Sequence, residues 1–273
     1  ISEMKNLKQR QTGRSTEMTF VNPLRRIWAE DGVVRGAWCV SPDALVAQTL
    51  ASTGVDFVCL DLQHGAMDYT DAVPMLAAVA GQGVVPMVRL PVNEPWVIGR
   101  VLDAGALGVI VPLVDTAEQA AAAVAACRYP PAGRRSFGPV RAASVIGSTD
   151  PRDLEQVVVA VMVETREGLD NVDAIAATPG LDAIYVGPAD LSIALGLPPA
   201  FEHEAAAHRE ALVAVQEACA RHGIVAGVHC SGGEMAARRR DQGFAMMSLV
   251  TDVDLVRAGT MAELELMDGG GKP

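Results

Sequence analysis

The chain has 273 residues, half of them hydrophobic, and 33 acidic against 22 basic side chains leave it at −11. That is room for one large α/β domain or two small ones, and the acidic balance argues against nucleic acid and anionic membrane as partners. No apolar stretch approaches the roughly 20 residues that span a bilayer.

In chain order, residues 1–17 come first: polar, without the pattern of a signal peptide, and ending just before Met18. They are expected to be a disordered tag or leader. Strand-like and helix-like runs then alternate about eight times. The strands fall near 34–40, 57–62, 84–90, 108–114, 157–165, 183–188, 224–230 and 244–250. The helical patterns lie near 42–53, 71–81, 95–104, 117–128, 169–177, 203–222, 233–242 and 252–267, with Gly54, Gly83, Gly105, Gly180, Gly223 and Gly243 marking many of their ends. The strands are Val-, Ile- and Ala-rich without polar alternation, as strands buried on both faces are. Strand–helix alternation implies a parallel sheet, and eight units imply a closed (β/α)8 barrel over residues 18–267, followed by a flexible tail at 268–273. A doubly wound open sheet is the alternative, but no Gly-x-Gly-x-x-Gly follows the first strand. One segment, 129–153, interrupts the alternation: rich in Pro, Gly, Ser and Arg, it is long for a βα connection and reads as functional or oligomeric.

The strand tips carry the chemistry. Glu164 and Asp190 each close an apolar run, 26 residues apart, where barrel enzymes place their reactive groups. They read as two hard oxygen ligands for one metal ion; the alternative is helix N-caps or solvated loop acids. Strand two ends in Asp61-Leu-Gln63-His64-Gly65. An Asp bonded to one ring nitrogen of His64 would fix its tautomer and raise the basicity of the other, as a general base requires; a loop histidine packed by chance is the plain alternative. Arg89 ends strand three. A buried guanidinium needs an anion, either a substrate carboxylate or enolate, or a strand-end acid such as Asp61. His229 ends strand seven and could line the site, although a structural role is the stronger reading. His203, His208 and His222 fall in one long helix and read as surface. The only lysines are Lys5, Lys8 and Lys272, all in the tails, so no Schiff-base lysine exists in the barrel, whether for a carbonyl substrate or for PLP. No NAD fingerprint, P-loop or Gly-x-Ser-x-Gly occurs. Carbonyl chemistry would therefore need a metal as electron sink. Five cysteines show no metal spacing, Cys39 and Cys59 sit in apolar runs, and a reduced, cytoplasmic chain is expected.

Six segments in order, Gly36-Ala-Trp38, Leu60-Asp-Leu-Gln-His-Gly65, Val88-Arg89, Arg128-Tyr-Pro-Pro-Ala-Gly133, Val163-Glu-Thr-Arg-Glu167 and Gly187-Pro-Ala-Asp-Leu-Ser192, resemble the HpcH/HpaI aldolase family from about Trp38 to Ala258. The resemblance implies a (β/α)8 TIM barrel whose last helix swaps with a neighbouring subunit, often in a hexamer built as a trimer of dimers. It implies a divalent metal (Mg2+, Mn2+ or Co2+) on Glu164 and Asp190, with a 2-oxo acid chelating it and an aldehyde as second product. It implies that Arg89 stabilises the enolate oxygen and that Asp61 and His64 supply acid–base work. It further implies that Trp38 and the Gly187-Pro188-Ala189 backbone border the 2-oxo acid, that Asp103 reaches into the adjacent subunit's site, and that Phe137 lies near the aldehyde end. Two positions depart from the family pattern: Gln63 where many members carry Glu, and Met162 where members carry Gln.

The expected activity is reversible cleavage of a 4-hydroxy-2-oxo acid to pyruvate or hydroxypyruvate and an aldehyde, with oxaloacetate decarboxylation as a side reaction. A citrate-lyase or malyl-CoA-lyase type of enzyme is the rival within the superfamily, but no basic cleft for CoA phosphates is evident. A non-catalytic 2-oxo acid binding barrel is the rival outside enzymes.

Overall fold

The computed structural model describes residues 20–269; the expected leader at 1–17 and most of the expected tail lie outside the described residues. Eight parallel strands close on themselves in sequence order: β1 (Val34–Cys39), β2 (Phe57–Asp61), β3 (Val85–Arg89), β4 (Gly108–Val111), β5 (Val158–Val163), β6 (Ala183–Val186), β7 (Val225–His229) and β8 (Met246–Thr251), with β8 pairing back to β1. All eight expected strands are present, and nearly every strand residue is buried, which is why the runs show no polar alternation.

Side-chain alternation still sorts each strand into an outward row against the helices and an inward row filling the barrel. Phe57, Cys59, Val85, Met87, Ile110, Val158, Ala160, Ala183, Tyr185 and Met246 pack together inside. Glycine provides room where large rings meet: a Cβ on Gly36 would fall 2.1 Å from the Phe57 ring, and one on Gly227 would fall 2.7 Å from the Tyr185 ring. Continuing the inward row upward gives Trp38, Asp61, Arg89, Met162, Gly187 and His229 at the C-terminal mouth. The opposite mouth is plugged by α1 (Pro23–Ala29), a helix outside the sequence expectations. Its Leu24 is fully buried in the inner core. Its N-cap Asn22 donates to the Leu107 and Gln156 carbonyls, which precede β4 and β5, and accepts from Leu24 N–H.

The outer layer holds α2 (Ala44–Ala51), α3 (Tyr69–Ala80), α4 (Pro95–Asp103), α5 (Ala117–Cys127), the short pair α8 (Arg166–Asp170) and α9 (Val172–Ala176), α11 (Ala206–His222) and α12 (Gly233–Asp241). A short helix, α10 (Pro188–Ala194), begins at the tip of β6. The segment 129–153 contains α6 (Ala142–Ile146), runs into α7 (Pro151–Leu154) and corrects the expectation of a βα connection. It follows a helix and precedes β5, so it lies at the end where strands begin, away from the mouth. The last helix, α13 (Asp252–Met267), is anchored at its start, where buried Asp252 accepts the N–H groups of Val40 and Ser41. Beyond that turn its side chains are exposed, among them Val256, Leu264, Leu266 and Met267. All five cysteines are free and buried. No described helix is long and apolar enough to cross a membrane.

Candidate active site

A pocket of about 270 Å3 opens at the C-terminal mouth, lined by Trp38, Asp61, His64, Arg89, Met162, Gly187, Pro188, Ala189, Asp190, Phe201 and His229. Asp61 is its hub. β2 and β3 pair with Asp61 directly across from Arg89, so acid and guanidinium meet without reaching. Arg89 Nε donates to Asp61 Oδ1 at 2.9 Å, and Nη2 donates to Oδ2 in a short second bond. Trp38 Nε1 donates to the same Oδ2 at 3.0 Å. The backbone N–H groups of Gln63 and His64 donate to Oδ1 at 3.0 and 3.1 Å. Burial alone would raise the Asp61 pKa, but the Arg89 bonds and charge, with Trp38 and the loop N–H groups, hold it below the usual carboxylate range.

This corrects the expected Asp61–His64 ring bond. With five donors on its two oxygens, Asp61 has no lone pair left for the imidazole, and the bond it gives His64 is to the backbone. Gly65 lets the loop turn this tightly, since a Cβ there would fall 2.2 Å from the Asp61 carbonyl oxygen. His64 is thereby held exposed at the rim, and its ring makes no protein hydrogen bond among the described residues. Arg89 has taken the strand-end acid as its partner, yet its Nη1 has no protein acceptor among the described residues and remains available to the pocket.

Glu164, one residue past β5, is buried, with 4% of its surface exposed, directly behind Gly187. A Cβ on Gly187 would fall 2.5 Å from Glu164 Oε2 and 2.9 Å from Met162 Cε, so only glycine leaves the carboxylate its place. Oε1 accepts the N–H of Leu113 at 3.0 Å; Leu113 adopts a φ of 53°, a left-handed conformation costly for a leucine. Burial, with Asp190 and Asp115 adding negative charge, raises the Glu164 pKa to about 7 against the pull of Leu113 N–H and Arg89. Asp190, exposed in the first turn of α10, supplies the second carboxylate. The donor set fits a hard divalent cation. The two carboxylates are close enough for the Asp190 charge to raise the Glu164 pKa, Glu164 is desolvated, and the nearby guanidinium is already bonded to Asp61. Among the described residues no group of three or more His, Cys, Asp and Glu forms a metal cluster. A cation here would take its remaining ligands from water and substrate.

Asp103 and Phe137 do not reach this pocket. Asp103 ends α4 at the strand-start end of the barrel, paired with Arg135 at 2.9 Å, and burial raises its pKa despite that partner. Phe137 packs on Tyr129 in the same region, 58% exposed. His229, rated structural from sequence, lines the pocket instead. Its inward position follows from alternation along β7, where Val225 and Gly227 also point inward, and that signal was available in the sequence. Phe201, with no signal in the sequence, stacks on it from the α10–α11 connection. His208, expected at the surface, is fully buried. Met162 gives the pocket floor a thioether, and the Gln63 Oε1 is buried without a partner among the described residues.

Residues 35–258 match the family model described as HpcH/HpaI aldolase/citrate lyase. A hydroxypyruvate/pyruvate aldolase of Rhizorhabdus wittichii is 36% identical over 239 residues, 87% of this chain and 95% of that one. A 5-keto-4-deoxy-D-glucarate aldolase of Klebsiella pneumoniae is 34% identical over 247 residues, covering 88% and 94%. The crystal structure of an HpcH/HpaI aldolase/citrate lyase family protein from Burkholderia cenocepacia superposes with a TM-score of 0.82 at 33% identity, covering 90% of this chain and all of that one.

Proposed function

This chain belongs to the HpcH/HpaI aldolase/citrate lyase family and is a carbon–carbon lyase, and from that premise we propose a divalent-metal-dependent aldolase that reversibly cleaves 4-hydroxy-2-oxo acids to pyruvate or hydroxypyruvate and an aldehyde. The observation that carries the proposal is the buried Glu164 carboxylate beside Asp190, with its neighbouring cation, Arg89, already bonded to Asp61. Glu164 and Asp190 would hold Mg2+, Mn2+ or Co2+. When bound there, the cation supplies Lewis-acid stabilisation of negative charge on the keto oxygen of a 2-oxo acid.

The chain's own residues divide the remaining work. Arg89 is locked by its bidentate bond to Asp61, so its free Nη1 meets the developing enolate oxygen without reorganising. Asp61 acts through Arg89 and through the loop that holds His64, rather than by proton transfer of its own. His64, unpaired at the rim, accepts the proton of the C4 hydroxyl during cleavage and returns it during condensation. Pro188 lacks an N–H, but the first-turn N–H groups of Ala189 and Asp190 have no intrahelical acceptor and suit the substrate carboxylate. Trp38 closes the side of the pocket against Arg89. An assembly of several copies, as a trimer of dimers, completes the reading: a neighbour would cover the apolar side chains of α13, and Asp103 with Phe137 would serve an adjacent subunit's site.

The test is condensation of pyruvate and of hydroxypyruvate with a panel of aldehydes, after EDTA and again with each metal restored. Product formation that EDTA abolishes and a divalent metal restores is expected. Activity indifferent to EDTA would refute the metal assignment, and no product with either donor would refute the aldolase.

A further inference from the structure

His229 is the pocket group that this mechanism leaves unused. Its Nδ1 lies 2.9 Å from the Ser248 hydroxyl. Ser248 is fully buried, and its oxygen already accepts the N–H of Cys230 at 3.2 Å. A buried hydroxyl must place its own proton; the Tyr185 hydroxyl also lies near Ser248, but the contact with hydrogen-bond geometry is the one to Nδ1. With Nδ1 accepting from Ser248, the ring proton of His229 sits on Nε2, an N–H without a protein acceptor among the described residues. Burial and the Arg89 charge push its pKa down to about 4, so near neutral pH it is an uncharged donor. The ring is held by a perpendicular contact with Trp38 at 4.8 Å and by stacking on Phe201 at 5.7 Å. Those two rings offer no oxygen; a third, Tyr185, stands edge-on at 6.5 Å. The indole of Trp38 also lies 5.2 Å from Arg89 Cζ, so Arg89 and His229 flank the same ring. A group that serves the C2 oxygen and one that reaches a substituent on the adjacent carbon would stand in this relation.

We propose that His229 selects the donor substrate: its Nε2–H, set by Ser248, hydrogen-bonds an oxygen carried on C3 of the 2-oxo acid, so that hydroxypyruvate-type donors are preferred to pyruvate. This rests on the aldolase reading above and goes beyond it by giving one side chain the choice of donor. Ser248 is a positioning residue and touches no substrate. Within a pocket that must otherwise bury the C3 hydroxyl against Trp38 and Phe201, loss of the N–H leaves that hydroxyl unpaired.

The test compares hydroxypyruvate with pyruvate against one aldehyde in the Mg2+-loaded wild type, His229→Leu and His229→Gln. The ratio of kcat/KM for hydroxypyruvate to that for pyruvate is expected to fall roughly tenfold or more in His229→Leu. Partial recovery is expected in His229→Gln, whose amide restores a donor. An unchanged ratio, or a change in aldehyde preference alone, overturns the proposal. Calorimetric titration of each 2-oxo acid into the same proteins reads the preference without turnover, so it decides the point even if the wild type condensed neither donor and the aldolase reading fell. Nitrogen-15 NMR of His229 is expected to show the Nε2–H tautomer in the wild type and a mixture in Ser248→Ala; an Nδ1–H tautomer in the wild type overturns it.

Discussion

Glu164 and His229 set up opposing pH dependences in the metal-free protein. The Glu164 pKa rises from 4.5 to about 7 on folding, so between those values the folded chain holds a proton that the unfolded chain has released. Its contribution to stability is complete below pH 4.5 and is lost as the pH climbs through 7. The His229 pKa falls from 6.5 to about 4, so between those values the unfolded chain takes a proton that the folded chain refuses. Its contribution is complete above pH 6.5 and is lost as the pH falls through 4. At about 1.4 kcal/mol per pH unit, each effect amounts to up to about 3 kcal/mol, with opposite sign. They overlap between pH 4.5 and 6.5 and offset one another there. Urea unfolding in EDTA across that range is expected to show the cancellation by subtraction. Relative to wild type, Glu164→Gln gains stability as the pH rises, by about 2–3 kcal/mol over the window. Relative to wild type, His229→Phe loses a similar amount over the same window. If the difference between Glu164→Gln and wild type does not vary with pH, Glu164 does not titrate as its buried, acid-flanked setting requires.

Three more outcomes follow from the packing. Asp61→Asn leaves the Arg89 guanidinium buried without its counter-ion, and urea unfolding should record a loss of about 3–5 kcal/mol; less than about 1 kcal/mol would mean that the pair is not a structural hub. Gly187→Ala drives a methyl into the space of Glu164 Oε2 and Met162 Cε, so the variant should still fold, at a cost of about 1–3 kcal/mol, while Mn2+ affinity by calorimetry drops at least about tenfold. Unchanged affinity would show that Glu164 does not need its present position. Paired Leu264→Glu and Met267→Glu substitutions, three residues apart and so on one side of α13, place charge among its exposed apolar side chains and should reduce the mass measured by light scattering; an unchanged mass would exclude this side of the helix as an assembly contact.

The barrel was legible because both-sides-buried parallel strands leave continuous Val, Ile and Ala runs, and because glycine marks many helix ends. Glu164, Asp190 and Arg89 were legible because a charged residue closing such a run has few places to go except the mouth. What the sequence left hidden were contacts fixed by register. The sequence offered Asp61 as one candidate partner for Arg89, but nothing local says that the two stand directly across from one another and that Arg89 takes the lone pairs His64 would have used. Similarly, the fit of Glu164 behind Gly187 depends on two adjacent strand tips at once. Other misses came from local signals left unread. Asn22-Pro23 is a helix start, with an N-cap followed by proline, yet a helix of only seven residues gives too little periodicity to show as a plug. Counting alternate residues along β7 leads from Val225 to His229. The segment 129–153 comes after a helix and before a strand, an order that already assigns it to the end of the barrel away from the mouth.

Metal-dependent exchange of the pyruvate methyl protons with deuterium, followed by NMR, tests the central claim most directly, because it reads enolisation without any choice of aldehyde. The account predicts exchange in the wild type with Mg2+ or Mn2+, none after EDTA, and none in Glu164→Gln or Asp190→Asn with metal restored. Undiminished exchange in either variant would contradict it.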